Sequence, residues 1–331
     1  METFRPHPLP EASYSLLHNN YVFLNLALKH LLSRASALPM ASFFIIPRYG
    51  FSVQLSSLSV CKGSYIPAYL YKEATMSLLH SFYCWGAVGT ILVSTAFFAI
   101  FGIDSWKWLA VLLAMVPAIN IYNFATCPIE YLVEDGEGMS IPSLFKTPLF
   151  WVAIILMVCS GASELSMAQW ASAYAEAALG LSKTMGDLMG PCLFAVAMGI
   201  SRMLYGKYGE KVNLSKFMLG SGVLCVLCYV LASLFSNPIV GLIGCILCGF
   251  SVGIMWPGTL SISSKKFPTG GTAMFALLAM AGDLGGSIGP GIVGRVTQMA
   301  GDNIRTGMTV GLIFPVVLVV GLLFFDKMKS R

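Results

Sequence analysis

Several apolar segments of this chain are each long enough to cross a lipid bilayer as a helix. A crossing of the hydrocarbon core takes about 20 residues, and eight segments reach that length. They are Met76–Phe101, Trp106–Thr126, Pro148–Tyr174, Thr184–Tyr205, Lys216–Phe235, Pro238–Ser261, Thr272–Thr297 and Gly307–Phe325. Only 11% of the 331 residues are charged, whereas a soluble domain carries about 25%. The sequence therefore predicts an all-α polytopic membrane protein in contact with the lipid bilayer.

Lysine residues near the ends of the predicted spans indicate the orientation of the chain. The connections at 205–216 and 262–269 and the C-terminal tail are rich in lysine, whereas the alternate connections contain few basic residues. By the positive-inside rule, the basic connections lie in the cytoplasm. We therefore expect an integral protein of the plasma membrane, with the acidic loop 127–147 and the tail 327–331 both cytoplasmic.

The first 75 residues do not fit this series of spans. The apolar segment Tyr21–Leu32 has only 12 residues, and Pro47 and Arg48 interrupt the next one. Met1–Pro10 contains three prolines, and no signal peptide is expected. We predict an atypical segment at 1–75, two helices at 76–126, an inter-half loop at 127–147 and a six-helix half at 148–326.

The cysteine spacing resembles a zinc ribbon, but its surroundings do not. Cys225-x2-Cys228 is followed after 16 residues by Cys245-x2-Cys248. Both pairs lie inside long apolar helices without adjoining hairpin turns, so we expect buried, apolar thiols and no metal site. The sequence suggests no cofactor.

Other motifs argue against an enzyme. Gly285–Gly289 fits the G-x-S-x-G pattern of serine hydrolases, but a nucleophile elbow needs a strand before the serine, and here a helix is predicted. The sequence contains no Walker A motif for ATP binding. The net charge of +5 is accounted for by the basic membrane face and does not suggest nucleic-acid binding.

Several segments together resemble one family of membrane proteins. The loop motif Arg202–Lys211 is similar to the D-R-x-G-R-R loop of the major facilitator superfamily. Lys207, Gly209 and Lys211 match, whereas Gly206 stands in place of the aspartate and Glu210 in place of a basic residue. The more specific segments resemble the fucose-permease-like, sugar-transporting branch; they are Met76–Gly86, Gln169–Ser172, Gly249–Gly258 and Gly270–Pro290.

The resemblance implies a major-facilitator fold of two six-helix halves. The eight spans correspond to helices five to twelve, so the C-terminal half is complete. Four further crossings need about 80 apolar residues, which exceeds residues 1–72. The N-terminal half is therefore expected either to be truncated or to have a disrupted reading frame over residues 1–72. The resemblance also implies a gating loop that includes Arg202, Gly206, Lys207, Gly209 and Lys211.

Ionisable or aromatic side chains inside the spans are candidates for a substrate site, because such groups usually face the interior of a bundle. Glu164 lies at the middle of its span, with Gln169 and Trp170 about a turn and a half further on. Asp283 lies among glycines. A sugar needs hydrogen-bonding groups and an aromatic ring for stacking. The remaining candidates are His80, Asn120, Asn123 and Trp256.

Each candidate also has a structural interpretation. Glu164 and Asp283 could hold the helices together, and His80 could be a packing residue. We expect Asp187 to interact with a helix N-terminus. The pairs Gly249-x3-Gly253 and Gly282-x3-Gly286 are expected to allow close helix packing.

Two functional hypotheses follow. The first is a secondary transporter that moves a sugar or related small polar solute by alternating access, with protons as the candidate coupling ion. Helices five, seven, ten and eleven would line its central cavity. The alternative is a truncated remnant of such a transporter, which inserts into the membrane without transporting.

Overall fold

The computed structural model describes residues 73–126 and 138–328 of the chain. The predicted atypical segment up to residue 72, most of the acidic inter-half loop and the last three residues lie outside the described residues. Within the described ranges the secondary structure is helical, with no β-strand. This confirms the predicted all-α fold class.

Twelve α-helices make up the described part of the chain. They are α1 (Glu73–Phe101), α2 (Trp106–Thr126), α3 (Ile141–Phe145), α4 (Pro148–Leu179), α5 (Lys183–Asp187), α6 (Leu193–Tyr208), α7 (Leu214–Leu234), α8 (Pro238–Val252), α9 (Met255–Lys266), α10 (Gly271–Met299), α11 (Ile304–Gly311) and α12 (Ile313–Lys327). A π-helical turn, Leu188–Cys192, joins α5 to α6, and short 3₁₀ turns precede α2 and follow α6.

Seven helical segments within the described ranges are long and apolar enough to cross a membrane. They correspond to seven of the eight predicted spans, and α2 forms a 21-residue helix with the bounds predicted for the eighth. Such segments must be helical, because backbone groups in hydrocarbon have no water to bond and must pair within the segment. Three of the seven are each made of two α-helices.

The breaks within these spans occur beside glycine or proline. The π-helical turn between α5 and α6 contains Gly190 and Pro191. Gly253 lies between α8 and α9, and Pro257 follows in the first turn of α9. Proline lacks an N–H and cannot continue the hydrogen-bond ladder. These spans therefore bend where the sequence weakens their backbone hydrogen bonding.

Short polar connections end the spans with specific caps. The side chains of Asn213, Asn237 and Asn303 each accept a hydrogen bond from a backbone N–H in the first turn of the following helix. Gly180 ends α4 with φ of 64°, a left-handed conformation that favours glycine. The connections are therefore tight, as expected for neighbouring helices in a bundle.

Helix α4 is the central helix of the six spans that begin at Pro148. It packs against α8, α9, α10, α11 and α12, and most extensively against α10. Gly161 lies against Gly282, and the ring of Trp170 lies against Gly294 further along both helices. The two helices therefore run in the same direction, as the first and fifth members of an alternating six-span bundle must.

Glycines bring the backbones of α4 and α10 into contact. A Cβ atom added to Gly285 would collide with the carbonyl oxygen of Val158, and one added to Gly161 with that of Gly282. A Cβ at Gly249 would collide with the carbonyl oxygen of Phe194 on α6, and one at Gly253 would lie 2.8 Å from the Ser201 side chain. The predicted packing role of both small-residue pairs is confirmed.

The cysteines of the described spans are buried, as predicted. Seven of them are free thiols inside the bundle, and they are Cys84, Cys159, Cys192, Cys225, Cys228, Cys245 and Cys248. The Sγ atoms of Cys225 and Cys248 lie 3.8 Å apart, where they join α7 to α8. In these positions the thiols act as small apolar packing groups.

Candidate transport site

A buried ion pair lies at the middle of the central helix. Glu164 on α4 is 4% exposed and Arg202 on α6 is 2% exposed. Arg202 Nη2 lies 3.4 Å from Glu164 Oε2. Within the described ranges these two are the buried charged side chains. Burying one charge alone is very costly, so each requires the other.

Arg202 also binds two other helical segments through its remaining donors. Its Nε donates to the carbonyl oxygen of Gly253 at 2.8 Å, and its Nη1 donates to that of His80 at 2.9 Å. The guanidinium carbon lies 5.6 Å from the centroid of the Tyr83 ring, within range of a cation–π contact. One side chain thus joins α1, α4, α6 and the α8–α9 junction.

The location of Arg202 corrects the loop assignment drawn from the motif. Arg202, Gly206 and Lys207 lie within α6, while Gly209 and Lys211 form the 3₁₀ turn that follows it. Helix α6 continues through Arg202 inside the bundle because the Glu164 carboxylate compensates the charge of the guanidinium. A gating role for the five residues stays a prediction.

Gly209 and Lys207 have local roles at the end of α6. A Cβ on Gly209 would lie 2.7 Å from the Tyr205 ring, so that ring can cover the turn only when residue 209 is glycine. Lys207 Nζ lies 5.3 Å from the centroid of the Tyr208 ring. Both contacts lie at the basic end of the span.

Gln169 and Trp170 lie near the interface of α4 with α10. Gln169 is exposed and Trp170 is half-buried. Trp170 Nε1 donates to the carbonyl oxygen of Pro290 at 3.1 Å, and its ring covers Gly294. The indole therefore tethers α4 to α10 beside the proline.

We expect Trp170→Phe to weaken this tether. The substitution removes one hydrogen bond and part of the ring area, so the free energy of unfolding should fall by about 1 kcal/mol. Thermal unfolding of the purified protein in detergent measures the change. Trp108→Phe is the control, because Trp108 is 72% exposed. Equal effects of the two substitutions would contradict the tether.

Trp256 and Asp283 lie close together in the fold. The ring of Trp256 packs on Gly282, where an added Cβ would collide with it. Asp283 follows Gly282 and is exposed on a stripe of α10 that also presents Ser287. Glu164 and Asp283 therefore occupy different environments, one inside the bundle and one on its described surface.

The remaining predicted residues lie on the two helices before the inter-half loop. His80 contributes its backbone carbonyl to the Arg202 cluster, and its side chain is half-buried. Asn120 and Asn123 lie on α2, but their side chains are outside the described part of the structure. Ligand contact by these three residues stays a prediction.

Asp187 belongs to a polar cluster and not to a helix N-terminus as predicted. It is the last residue of the short helix α5. Lys183 Nζ lies 2.8 Å from its Oδ1 and 3.1 Å from Glu176 Oε1. Ser172 Oγ lies 2.6 Å from Asp187 Oδ1 and 2.9 Å from Glu176 Oε1, and can donate its one hydrogen to either carboxylate. The cluster ties the end of α4 to the start of the next span.

Sequence reasoning missed two features of the site. The first is the pairing of Arg202 with Glu164, which are 38 positions apart and share no helix. The second is the Lys183 cluster, although the i,i+4 spacing of Lys183 and Asp187 was a usable signal. Ser77, whose Oγ donates to the Arg202 carbonyl oxygen at 3.0 Å, carried no signal.

Comparison with known proteins identifies the family to which the sequence is similar. A family model of the Major Facilitator Superfamily matches residues 70–290. No curated protein sequence matches the chain significantly.

Two solved structures share the fold. FucP, a Major Facilitator Superfamily transporter in the outward conformation, aligns with a TM-score of 0.62 and 13% identity, over 87% of this chain and 83% of FucP. A variant of the E. coli fucose:proton symporter FucP aligns with a TM-score of 0.61 and 13% identity, over 89% and 86% of the two chains. At this identity the likeness shows the fold alone.

Proposed function

Because the chain belongs to the Major Facilitator Superfamily, we propose that it moves a sugar or related small polar solute across the plasma membrane, coupled to protons, by alternating access. Family membership confirms the resemblance drawn from the sequence and the prediction that the chain is an integral membrane protein and not an enzyme. The observation that carries the proposal is the six-span bundle around α4, in which Trp170 of α4 contacts α10 and the exposed Gln169 and Asp283 lie on these same two helices.

The solute class is supported by the chemistry of four side chains on the bundle and by the fold likeness. Gln169 offers an amide and Asp283 a carboxylate for sugar hydroxyls, while Trp170 and Trp256 offer rings for stacking. FucP, which has the same fold, is a fucose:proton symporter. We propose these four residues as substrate contacts, with His80, Asn120 and Asn123 as further contacts from α1 and α2.

The proposed orientation places the C-terminus in the cytoplasm. Lys207 and Lys211 lie at the end of one span, and Lys265 and Lys266 lie at the end of another, at the ends that the positive-inside rule assigns to the cytoplasm. The turn after α6 would then be the cytoplasmic gating loop. Residues 127–147 would connect the two halves on the same side.

Uptake by reconstituted protein tests the proposal. Purified protein in proteoliposomes, with the outside more acidic than the inside, should accumulate a labelled monosaccharide, beginning with fucose. Collapsing the pH gradient with a protonophore should abolish the accumulation. Absence of both uptake and counterflow for a panel of monosaccharides, with folded protein in the bilayer, would instead support the non-transporting remnant.

We expect Asp283→Asn to reduce uptake at low solute concentration by at least about tenfold. A lost charge-assisted hydrogen bond to a substrate hydroxyl is worth about 1.5–3 kcal/mol, which corresponds to that range. Uptake against solute concentration measures the change. Asp302→Asn is the control, because Asp302 lies in a connection with φ of 61°, which asparagine also tolerates. Unchanged uptake in Asp283→Asn would exclude Asp283 from the site.

A further inference from the structure

A cavity of about 140 Å³ lies at the basic end of the six-span bundle. It is lined by the chain just before and at the start of α4, and by the end of α9 with the residues that follow it. The backbone N–H of Met139 donates to the carbonyl oxygen of Thr269 at 2.8 Å, which holds these two lining segments together. The volume is about ten times what a single water molecule needs, so the cavity can take a small chemical group.

The charged groups that line the cavity are positive. Among the described residues that line it, Lys146 and Lys266 are lysines and none is acidic. Lys266 Nζ donates to the carbonyl oxygen of Met328 at 2.6 Å, and an ammonium group has two further N–H donors. The side chain of Lys146 is exposed and has no hydrogen-bonding or ionic partner within the described ranges. Both lysines therefore have donors left for a ligand.

The amino-terminal end of α4 adds to this positive charge. Thr147 and Pro148, the N-cap and first residues of α4, line the cavity. Thr147 makes no side-chain capping hydrogen bond, because its hydroxyl donates to the carbonyl oxygen of Ser143 at 3.2 Å. A long helix carries partial positive charge at its N-terminus, where phosphate groups bind. The helix end and the two lysines together favour an oxyanion.

The surroundings of the cavity indicate that it lies at the depth of phospholipid headgroups. Trp151, in the first turn of α4, is exposed, and its Nε1 donates to the carbonyl oxygen of Phe145 at 2.9 Å. Tryptophan is enriched at the membrane–water interface, where its ring lies among the headgroups. Ile155 lies one turn further along α4 and is exposed as well. The cavity is therefore close to a surface that changes from interfacial to apolar.

We propose that this cavity binds the phosphate group of an anionic phospholipid. The lysine ammonium groups and the N-terminus of α4 contact the phosphate oxygens, and the buried side chains of Leu149 and Phe267 pack against the glycerol esters. The positive-inside rule assigns this end of the bundle to the cytoplasmic leaflet, where anionic lipids are found. The site is separate from the proposed solute contacts and does not depend on which solute is transported.

Lys146→Glu tests the site without disturbing the bundle, because Lys146 is exposed and unpaired within the described ranges. The purified protein in detergent is titrated with dioleoyl phosphatidic acid, and native mass spectrometry measures the fraction that carries one lipid. We expect the dissociation constant to rise at least about tenfold, because an attractive charge beside the phosphate becomes a repulsive one. Lys146→Arg keeps the charge and should stay within about threefold of the unsubstituted protein.

Lys216→Glu is the matched control. Lys216 is an exposed lysine in the first turn of α7, at the same basic end of the bundle, and the substitution changes the net charge equally. It should bind phosphatidic acid as the unsubstituted protein does. Equal weakening in both glutamate variants would assign binding to the basic face as a whole and overturn the proposal. Unchanged binding in Lys146→Glu would overturn it too.

Two further probes identify the group that is bound. Dioleoylglycerol has the same acyl chains without the phosphate and should bind at least about tenfold more weakly than phosphatidic acid; equal binding would overturn the proposal. Inorganic phosphate in about hundredfold excess should not displace the lipid, because it lacks the acyl chains that remain in the apolar phase. Displacement that disappears in Lys146→Glu would assign the cavity to soluble phosphate and overturn the lipid as its ligand.

Thermal unfolding in detergent provides a measurement that does not depend on mass spectrometry. A ligand that binds the folded state raises the unfolding temperature. Phosphatidic acid should therefore raise it in the unsubstituted protein and in Lys216→Glu, but not in Lys146→Glu. The same rise in all three proteins would contradict a site at Lys146.

Discussion

Gly285→Ala and Gly161→Ala should each destabilise the protein strongly, although alanine favours a helix over glycine. A Cβ at either position would collide with a carbonyl oxygen of the opposite helix, and backbone cannot move aside as a flexible side chain can. Overpacking of this kind costs about 1–3 kcal/mol or more. Thermal unfolding in detergent and the yield of folded protein from membranes measure the effect.

The matched control is Gly291→Ala on the same helix, α10. An added Cβ at Gly291 has no other atom within 4 Å, so alanine should stabilise the helix by up to about 1 kcal/mol. The two substitutions in α10 should therefore have opposite signs. Equal, small effects would show that α4 and α10 do not touch through their backbones.

Arg202→Met should be the most damaging single change at the buried ion pair. It leaves the Glu164 charge buried without its partner, which costs about 3–5 kcal/mol. It also removes the donors that Gly253 and His80 use, at about 1–3 kcal/mol for each buried group left unpaired. We expect the folded yield to drop severely, whereas Glu164→Gln, which keeps an acceptor, should fold.

The double variant Arg202→Met with Glu164→Met isolates the charge. It should be more stable than Arg202→Met alone, because no buried charge is left uncompensated. Lys207→Met is the control, since Lys207 is exposed on the same helix and should change stability by less than about 0.5 kcal/mol. A double variant as unstable as the single one would assign the cost to the lost backbone hydrogen bonds.

The spans could be predicted because hydropathy and length act within one segment. The segment Pro148–Tyr174 was predicted, and the helix continues to Leu179. The segment Thr184–Tyr205 was predicted as one span, and it is one, with a π-helical turn at Pro191. The ends were placed less accurately, since polar residues such as Lys183 and Asp187 neutralise each other locally and stay helical.

The candidate site could be predicted only as a set of residue types. Glu164 was selected because a carboxylate inside a span is costly to bury and usually has a functional role. Arg202 falls inside the predicted span Thr184–Tyr205 but was assigned to the gating loop by the motif around it, and nothing in the sequence indicates that Glu164 faces it. Asp283 looked equivalent to Glu164, yet one is exposed and the other is buried.

The sequence by itself determined that this chain forms membrane-spanning helices and where they run, because a backbone in hydrocarbon must satisfy its hydrogen bonds inside each segment. It also identified Gly249, Gly253, Gly282 and Gly286 as packing positions, but the closest contacts of α4 with α10, at Gly161 and Gly285, became evident only in the structure. The tertiary structure alone decided which faces meet. The packing of α4 and α6 against α8 sets Glu164 against Arg202, and that depends on side-chain contacts between helices that are distant in the chain.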